Sequence, residues 1–231
     1  MYEGVINQES LESITAIRGK EKTKIKYHCY LCIKRSFDIF FAVVGCLFLL
    51  PLMIIVKICN ILTGDFGKIF YFQERIGKNG KKIYIYKFRT MVPNADEELK
   101  KLLKQPKYKK EWDLNQKLEN DPRITKAGRF LRKTSLDEMP QFINVLKGDM
   151  SLIGPRPLVE GELDSHNGSH ELYESIRPGI TSWWAAHGRS AVNYEERLYL
   201  EYYYIRNQSL WLDIRCAFDT VLAIVRRTGA K

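Results

Sequence analysis

The stretch that decides the fold runs from Ile39 to Val56, reads IFFAVVGCLFLLPLMIIV and contains no charged side chain. Its 18 residues are just enough for a helix to cross the hydrocarbon core of a membrane. Pro51 lies two-thirds of the way along, where proline removes a backbone hydrogen bond and clashes with the preceding turn. Both flanks are basic: seven basic residues and one acidic residue lie between Arg18 and Arg35, and eight basic and two acidic residues lie between Lys57 and Arg89.

Three arrangements of this apolar run fit these observations. Positive flanks prefer the cytoplasmic side, so a helix that breaks at Pro51 and returns to the same membrane face satisfies both flanks. We favour this re-entrant helix, which predicts that both termini lie in the cytoplasm. A simple membrane span with a tolerated proline and a buried core helix remain open.

The rest of the chain has the composition of a packed protein. Of the 231 residues, 45% are apolar and 28% are charged, which excludes a wholly disordered or low-complexity chain. Only one segment is apolar and long enough to enter a bilayer, so a polytopic transporter is excluded too. The net charge of +10 indicates an anionic partner, namely nucleic acid, acidic lipid headgroups or phosphorylated substrates.

The five cysteines show no disulfide framework and indicate a reducing compartment. Cys29 and Cys32, with His28 beside them, have the spacing of a metal or redox pair. The second pair of ligands that a structural zinc site needs does not follow in the sequence. We therefore interpret these cysteines as plain buried thiols, with a structural metal as the alternative.

Beyond the apolar run, the sequence predicts a hairpin and two helical regions. Two β-prone runs, IFYFQERI and KKIYIYKFRT, flank residues 77–80, whose Asn-Gly pair is a strong tight-turn signal. Alternation places Lys87 and Arg89 at the end of an otherwise apolar strand face. Residues 95–116 read as a helix interrupted by a proline. Residues 209–227 read as an amphipathic helix whose apolar face packs on the core or lies in a headgroup layer.

Reactive side chains concentrate in residues 120–157, which read NDPRITKAGRFLRKTSLDEMPQFINVLKGDMSLIGPRP. Five cations precede two adjacent acids, Asp137 and Glu138. The segment from Ser135 has the form of a helix capping box, and a helix that begins at Pro140 is the alternative. In both cases Asp137 lies at or just before a helix start, where free backbone N–H groups favour anions.

Adjacent carboxylates among cations suit phosphoryl transfer. One carboxylate can attack phosphorus, cations and a divalent metal can neutralise the phosphate oxygens, and the second acid can move a proton. We expect Asp137 to stay ionised at neutral pH, because its cationic neighbours favour the charged form. The plain alternative is a pair of acids that stabilise a first helical turn. Arg156, between two prolines, either presents its guanidinium to a diphosphate or lies in an ordinary loop.

Seven motifs occur in the order found in the bacterial sugar transferases, also called monotopic phosphoglycosyl transferases, and the chain resembles this family from about Lys34 to Val225. The motifs are KRSFD (34–38), QERIG (73–77), KFRTM (87–91), TSLDEMPQ (134–141), KGDMS (147–151), GPRP (154–157) and RPGIT (177–181).

The resemblance implies an α+β fold: a small membrane-associated catalytic domain with an N-terminal re-entrant membrane helix and interfacial amphipathic helices. It implies a polar and basic leader over residues 1–33, the re-entrant helix over 34–62 and a cytoplasmic phosphoglycosyl transferase domain over 63–231. The expected location is the bacterial inner membrane, with the catalytic domain on its cytoplasmic face.

The resemblance also implies transfer of a sugar 1-phosphate from a UDP-sugar to undecaprenyl phosphate, with release of UMP, at the start of capsule, exopolysaccharide, O-antigen or glycoprotein glycan assembly. Asp137 matches the family residue that carries a covalent phosphosugar and binds Mg2+, and Glu138 matches its partner. Lys87, Arg132 and Arg156 match family cations near the phosphates. The implied partners are the UDP-sugar, undecaprenyl phosphate and inner-membrane lipids, with no nucleic acid; a homodimer is left open.

Two departures from the family pattern concern the helix break and the substrate. Leu50 precedes Pro51 where relatives often carry serine, and residues 182–189 read SWWAAHGR where relatives often carry GLWQV. The identity of the sugar is therefore left open. A rival function is a cationic, membrane-anchored scaffold, which explains the net charge and the apolar run but has no need of Asp137 and Glu138.

Overall fold

The computed structural model describes residues 24–115, 118–188 and 192–225. Most of the predicted leader lies outside these residues. In chain order the elements are helix α1 (Lys24–Leu62), strands β1 (Phe70–Ile76) and β2 (Lys82–Phe88), helices α2 (Ala95–Leu102), α3 (Pro106–Asn115), α4 (Lys126–Lys133) and α5 (Gln141–Lys147), strand β3 (Ser151–Ile153), helix α6 (His170–Tyr173), strand β4 (Gly179–Thr181), and helices α7 (Trp183–His187), α8 (Tyr194–Arg206) and α9 (Leu210–Val225). The fold mixes helices with two small sheets, as an α+β protein does.

The predicted hairpin is confirmed. Strands β1 and β2 pair antiparallel, from Phe70 opposite Phe88 to Ile76 opposite Lys82. In the turn between them, Asn79 adopts a left-handed conformation with φ of 58°, which asparagine tolerates better than most residues. The second sheet contains the short strands β3 and β4, which pair in parallel.

Helix α1 packs one face against the domain and exposes the other. The buried positions recur at helical spacing and are Tyr30, Asp38, Ala42, Gly45, Leu49, Val56 and Asn60. From the first to the last of them this face is about 45 Å long. On the opposite face, Phe40, Phe48 and Ile54 are each more than 60% exposed. This exposure excludes the alternative of a buried core helix.

Among the described residues, α1 is the one helix that is long and apolar enough to cross a membrane. The helix continues through Pro51, so the chain stays helical where a break was predicted, and the return to one membrane face stays a prediction. Helix α1 begins at Lys24, inside the segment that was predicted to be a leader. Cys29 and Cys32 lie on it and are exposed, so the prediction that they are buried is wrong.

The charged residues of the KRSFD motif anchor α1 to the domain. Lys34 Nζ lies 3.1 Å from Asp213 Oδ2 on α9, and Arg35 donates to two backbone carbonyls of α5. The Asp38 carboxylate accepts hydrogen bonds from the Ser151 hydroxyl and from a backbone N–H of β3. These three charged side chains bond within the protein.

The apolar face predicted for the C-terminal helix is exposed. On α9, Trp211, Ile214, Phe218 and Val221 are between 58% and 73% exposed, while Leu212 on the other face packs into a core cluster. This exposure excludes core packing of that face, and its place in a headgroup layer stays a prediction. The two arginines predicted to end this helix lie outside the described residues.

Candidate active site

The acidic pair Asp137 and Glu138, called the dyad below, lies in a short 3-10 turn between α4 and α5. Ser135 precedes this turn in a left-handed conformation, with φ of 56°, and its side chain makes no capping hydrogen bond. The predicted capping box is therefore wrong. Helix α5 begins at Gln141 with Pro140 at its N-cap position, close to the alternative start; a proline fits there because the first N–H groups of a helix have no intrahelical partner.

Helix α4 reaches the end of β2 because Gly128 has no side chain. A Cβ atom at this position would clash with the backbone oxygen of Thr90. Arg132, in the last turn of α4, donates from Nε to the hydroxyl of the same Thr90 at 2.8 Å. Thr90 therefore fixes both the approach of the helix and the position of Arg132, directly before the dyad.

Lys87 on β2 pairs with the dyad. Its Nζ lies 2.7 Å from Glu138 Oε1, and both side chains are partly exposed. The second cation at this strand end, Arg89, instead pairs with Asp65 and donates to two backbone carbonyls. Arg89 thus ties the loop after α1 to the hairpin, and only Lys87 of the two cations meets the dyad.

The environment of Asp137 opposes its ionisation. Burial raises the pKa of Asp137 from 3.8 to about 6; the charge of Glu138 also raises it, whereas Lys87 and Arg132 lower it. The expectation that cations dominate this pKa is therefore wrong in direction. At pH 7, however, a carboxyl with a pKa of about 6 is about nine-tenths ionised, so Asp137 can still act as a nucleophile.

Arg156 lies among different neighbours. Its backbone N–H donates to Glu201 Oε1 at 3.2 Å, and its guanidinium lies over the Trp184 ring, 5.8 Å from the centroid. Neither of these two contacts of Arg156 involves Asp137 or Glu138. The predicted site residues thus fall into two groups: the dyad with Lys87 and Arg132, and Arg156 with its own neighbours.

Cavities do not mark the dyad. A cavity of about 300 Å3 lies at the turn end of the hairpin, lined by Gly77, Arg156 and Tyr173 among others. A second, of about 710 Å3, lies between the loop after α1 and the start of α4. Neither of these two cavities is lined by the dyad.

The donor set of the dyad fits Mg2+. The described ranges contain no cluster of three or more His, Cys, Asp or Glu side chains that can hold a metal ion. Mg2+ does not need such a cage, because it is usually held by one or two carboxylates together with substrate phosphates and water. The adjacent carboxylates of Asp137 and Glu138 supply that number.

Residues 29–227 match the profile described as bacterial sugar transferase. The chain belongs to the bacterial sugar transferase family. The match begins in the second turn of α1 and runs past the end of α9. It therefore includes the dyad.

Three relatives of this sugar transferase illustrate the family. The chain is 46% identical over 199 residues to an undecaprenyl-phosphate galactose phosphotransferase of Salmonella typhimurium. The aligned region covers 86% of this chain and 41% of the relative. The chain is 43% identical to a UDP-galactose-lipid carrier transferase of Erwinia amylovora, covering 88% and 42%. It is 41% identical to the exopolysaccharide production protein ExoY of Sinorhizobium fredii, covering 85% and 87%. The chain thus spans about two-fifths of the first two relatives and most of the third.

Sequence reasoning missed the residues around Arg156. Arg75 belongs to the QERIG motif, but no role followed from it, and Trp184 appeared only as part of a departure from the family pattern. Arg197 and Glu201 carried no signal, because they are distant in sequence from Arg156. In the fold, Arg197 shares the Trp184 ring with Arg156, and Glu201 accepts a hydrogen bond from the Arg156 backbone N–H.

Proposed function

We propose that this sugar transferase moves a sugar 1-phosphate from a UDP-sugar to undecaprenyl phosphate and releases UMP. The strongest support is the environment of Asp137. Its pKa of about 6 leaves a carboxylate that is mostly ionised at neutral pH, beside the Lys87–Glu138 ion pair and the guanidinium of Arg132. The names of two relatives supply undecaprenyl phosphate or a lipid carrier as acceptor and galactose as sugar.

In the first step, an Asp137 carboxylate oxygen attacks the β-phosphorus of the UDP-sugar. The bond between that phosphorus and the bridging oxygen breaks, and UMP leaves with the bridging oxygen. The sugar phosphate remains bound to Asp137 through a phosphorus–oxygen bond. Lys87 and Arg132 would offset negative charge on the phosphate oxygens.

In the second step, a phosphate oxygen of undecaprenyl phosphate attacks the same phosphorus. The bond to Asp137 breaks, its carboxylate is regenerated, and the product is a lipid diphosphate sugar. When the acceptor arrives as a monoanion, Glu138 accepts the proton that the attacking phosphate loses. This order of events predicts ping-pong kinetics.

We also propose Mg2+ as the cofactor. Asp137 would hold it together with phosphate oxygens and water. When bound, the ion would neutralise charge that builds on the departing UMP.

We propose further that the domain works on the cytoplasmic face of the inner membrane. The face of α1 from Tyr30 to Asn60 packs on the domain, and Asp38 bonds to β3. A straight crossing would therefore draw β3 and α5 into the hydrocarbon, where unpaired polar groups are costly. This packing favours a helix that enters and returns on one side, with the exposed faces of α1 and α9 in lipid.

UMP release tests this function. The full chain, reconstituted in nanodiscs with undecaprenyl phosphate and Mg2+, is given UDP-galactose, UDP-glucose and their N-acetylated counterparts in turn. We expect UMP and lipid-linked sugar in equal amounts, with UDP-galactose the first donor to test. Release of UDP would indicate transfer of the sugar alone, and no turnover with any donor would favour the scaffold; either result contradicts the proposed function.

A further inference from the structure

Three arginines from different elements form what we call the arginine cluster: Arg75 on β1, Arg156 in the GPRP loop and Arg197 on α8. Two of them, Arg156 and Arg197, lie over the ring of Trp184, at 5.8 and 4.8 Å from its centroid. Burial lowers the pKa of Arg75, the charge of Arg156 lowers it further, and the charges of Glu162 and Arg197 act on it in opposite directions. The three guanidinium groups are therefore close enough to repel one another.

Arg197 is paired within the protein, whereas the other two arginines are not. Arg197 Nη1 lies 3.2 Å from Glu162 Oε1, and its guanidinium lies between two aromatic rings, 4.8 Å from each centroid. Within the described ranges, the guanidinium groups of Arg75 and Arg156 have no ion pair and no hydrogen-bond acceptor. Two partly buried charges without an acceptor are costly, so an anion that binds both would stabilise them.

Unpaired buried atoms concentrate at the same place. In the part of the chain that the structure describes, six buried side-chain polar atoms lack a partner, and five of them belong to the cluster and its contacts. They are Arg75 Nε, Trp184 Nε1, Arg197 Nε, Arg197 Nη2 and Glu201 Oε2. Buried polar groups are nearly always paired in folded proteins. Four of these five atoms are donors, so what is missing is an acceptor.

The hairpin connects the cluster to the dyad. Tyr71 on β1 lies opposite Lys87 on β2, and Lys87 pairs with Glu138. Arg75 lies four residues further along β1 and on the same face, which is about 13 Å from Tyr71. One face of the hairpin therefore carries Lys87 at one end and Arg75 of the arginine cluster at the other. The long side chains at both ends can reach one extended, phosphorylated substrate.

We propose that Arg75 and Arg156 together bind a phosphate group of a substrate, and that the Arg197–Glu162 pair positions them. Two guanidinium groups can each make paired hydrogen bonds to phosphate oxygens. Arg156 was expected from the sequence to meet phosphate; Arg75 is the additional binding residue. The identity of the ligand rests on the proposed function: it is a phosphate of the donor diphosphate or the phosphate of the lipid acceptor.

Calorimetry with matched variants tests the site. Arg75→Gln is compared with Lys82→Gln, which removes the same charge from the neighbouring strand, where Lys82 pairs at the surface with Glu74 and Glu160. Inorganic pyrophosphate and UDP are titrated separately into the full chain in nanodiscs. We expect Arg75→Gln to weaken the binding of both at least tenfold and Lys82→Gln to change it less than twofold. Arg75→Lys, which keeps the charge but loses the paired hydrogen bonds, should lie between them.

A second measurement separates the two phosphate sources. If Arg75→Gln leaves pyrophosphate and UDP binding unchanged but raises the KM for undecaprenyl phosphate at least tenfold, the site binds the acceptor phosphate, which also supports the inference. Changes below twofold in all three quantities overturn it, as does the failure of both Arg75 variants to fold, which would make Arg75 structural. Arg75-dependent pyrophosphate binding by a wild-type protein that releases no UMP would keep the anion site and reject the proposed function.

Discussion

At the scale of single residues, the proposed chemistry depends on Asp137. Burial pushes its pKa up while Lys87 and Arg132 pull it down, and the balance is a pKa of about 6. Such a carboxyl is more basic than an ordinary aspartate and still mostly ionised at pH 7. The sequence shows that two acids are adjacent and surrounded by cations. It does not show how deeply a turn will bury them, which is why the expected direction of this pKa was wrong.

The pKa of Asp137 predicts how the first half-reaction depends on pH. In the proposed mechanism only the ionised carboxyl attacks, so we expect single-turnover UMP release to fall as the pH is lowered, with its midpoint at or below pH 6 because bound Mg2+ would lower the pKa of Asp137. Rapid-quench measurement between pH 5 and pH 8 gives this profile. Enzyme held at pH 5 and assayed again at pH 7.5 controls for denaturation. A rate that rises as the pH is lowered from 7 to 5 would contradict attack by the ionised Asp137.

The same pKa predicts a difference in stability. The fold raises the pKa of Asp137 above its unfolded value, so the fold favours the protonated form, and this contribution is lost as pH rises through about 6. Asp137→Asn, which cannot ionise, should therefore be more stable than the wild type at pH 8, by up to about 3 kcal/mol. The difference should vanish below about pH 4. Denaturant unfolding at the two pH values measures both; a variant that is less stable than wild type at pH 8 would contradict the burial described here.

At the scale of elements, the hairpin and α4 build the site. The hairpin was predictable because its signals are local: two β-prone runs and an Asn-Gly turn between them. The turn of the dyad was not, because Ser135 adopts a left-handed conformation that its local sequence does not signal, and the neighbouring helix α4 packs against Thr90, far from the turn in sequence. Local rules favoured a capping box there, and tertiary packing overrode them.

Substitution of Gly128 tests the packing of α4 against Thr90. Gly128→Ala would bring a Cβ atom against the Thr90 backbone oxygen and force α4 away from β2. We expect a loss of about 1–3 kcal/mol of unfolding free energy and at least a tenfold fall in UMP release, because α4 carries Arg132 and leads into the dyad. Lys126→Ala, an exposed change on the same helix, should leave stability within about 0.5 kcal/mol. Equal stability of the two variants would mean that the close approach is not needed.

At the scale of the whole molecule, α1 is both the predicted membrane element and a packed part of the domain. The apolar run was evident from the sequence, but the buried face was not, because a hydropathy window averages over all sides of a helix. Lys34, Asp38 and Asn60 fall on one side at helical spacing, and this was the signal available for the docking face. The anchors that Lys34 and Asp38 make to the domain came only from the structure.

Cysteine accessibility tests the position of α1 in the membrane. In a background without the native cysteines, single cysteines replace Ser36 and Lys68, two exposed residues on either side of the apolar run. We expect a membrane-impermeant maleimide to label neither position in intact spheroplasts and both after permeabilisation, because the re-entrant helix keeps both ends on the cytoplasmic side. Labelling of one position but not the other in intact spheroplasts would indicate a true span.

The covalent phosphosugar on Asp137 is the central claim, and intact-protein mass spectrometry after acid quench tests it most directly. Wild-type protein is mixed with UDP-sugar and Mg2+ in the absence of lipid acceptor, beside Asp137→Asn and Glu138→Gln. We predict at most about one UMP per active site and a mass increase equal to one sugar phosphate in the wild type, no increase in Asp137→Asn, and a slowly formed adduct in Glu138→Gln. An adduct that survives in Asp137→Asn, or a wild type that turns over with lipid but never gains the adduct, would contradict the account.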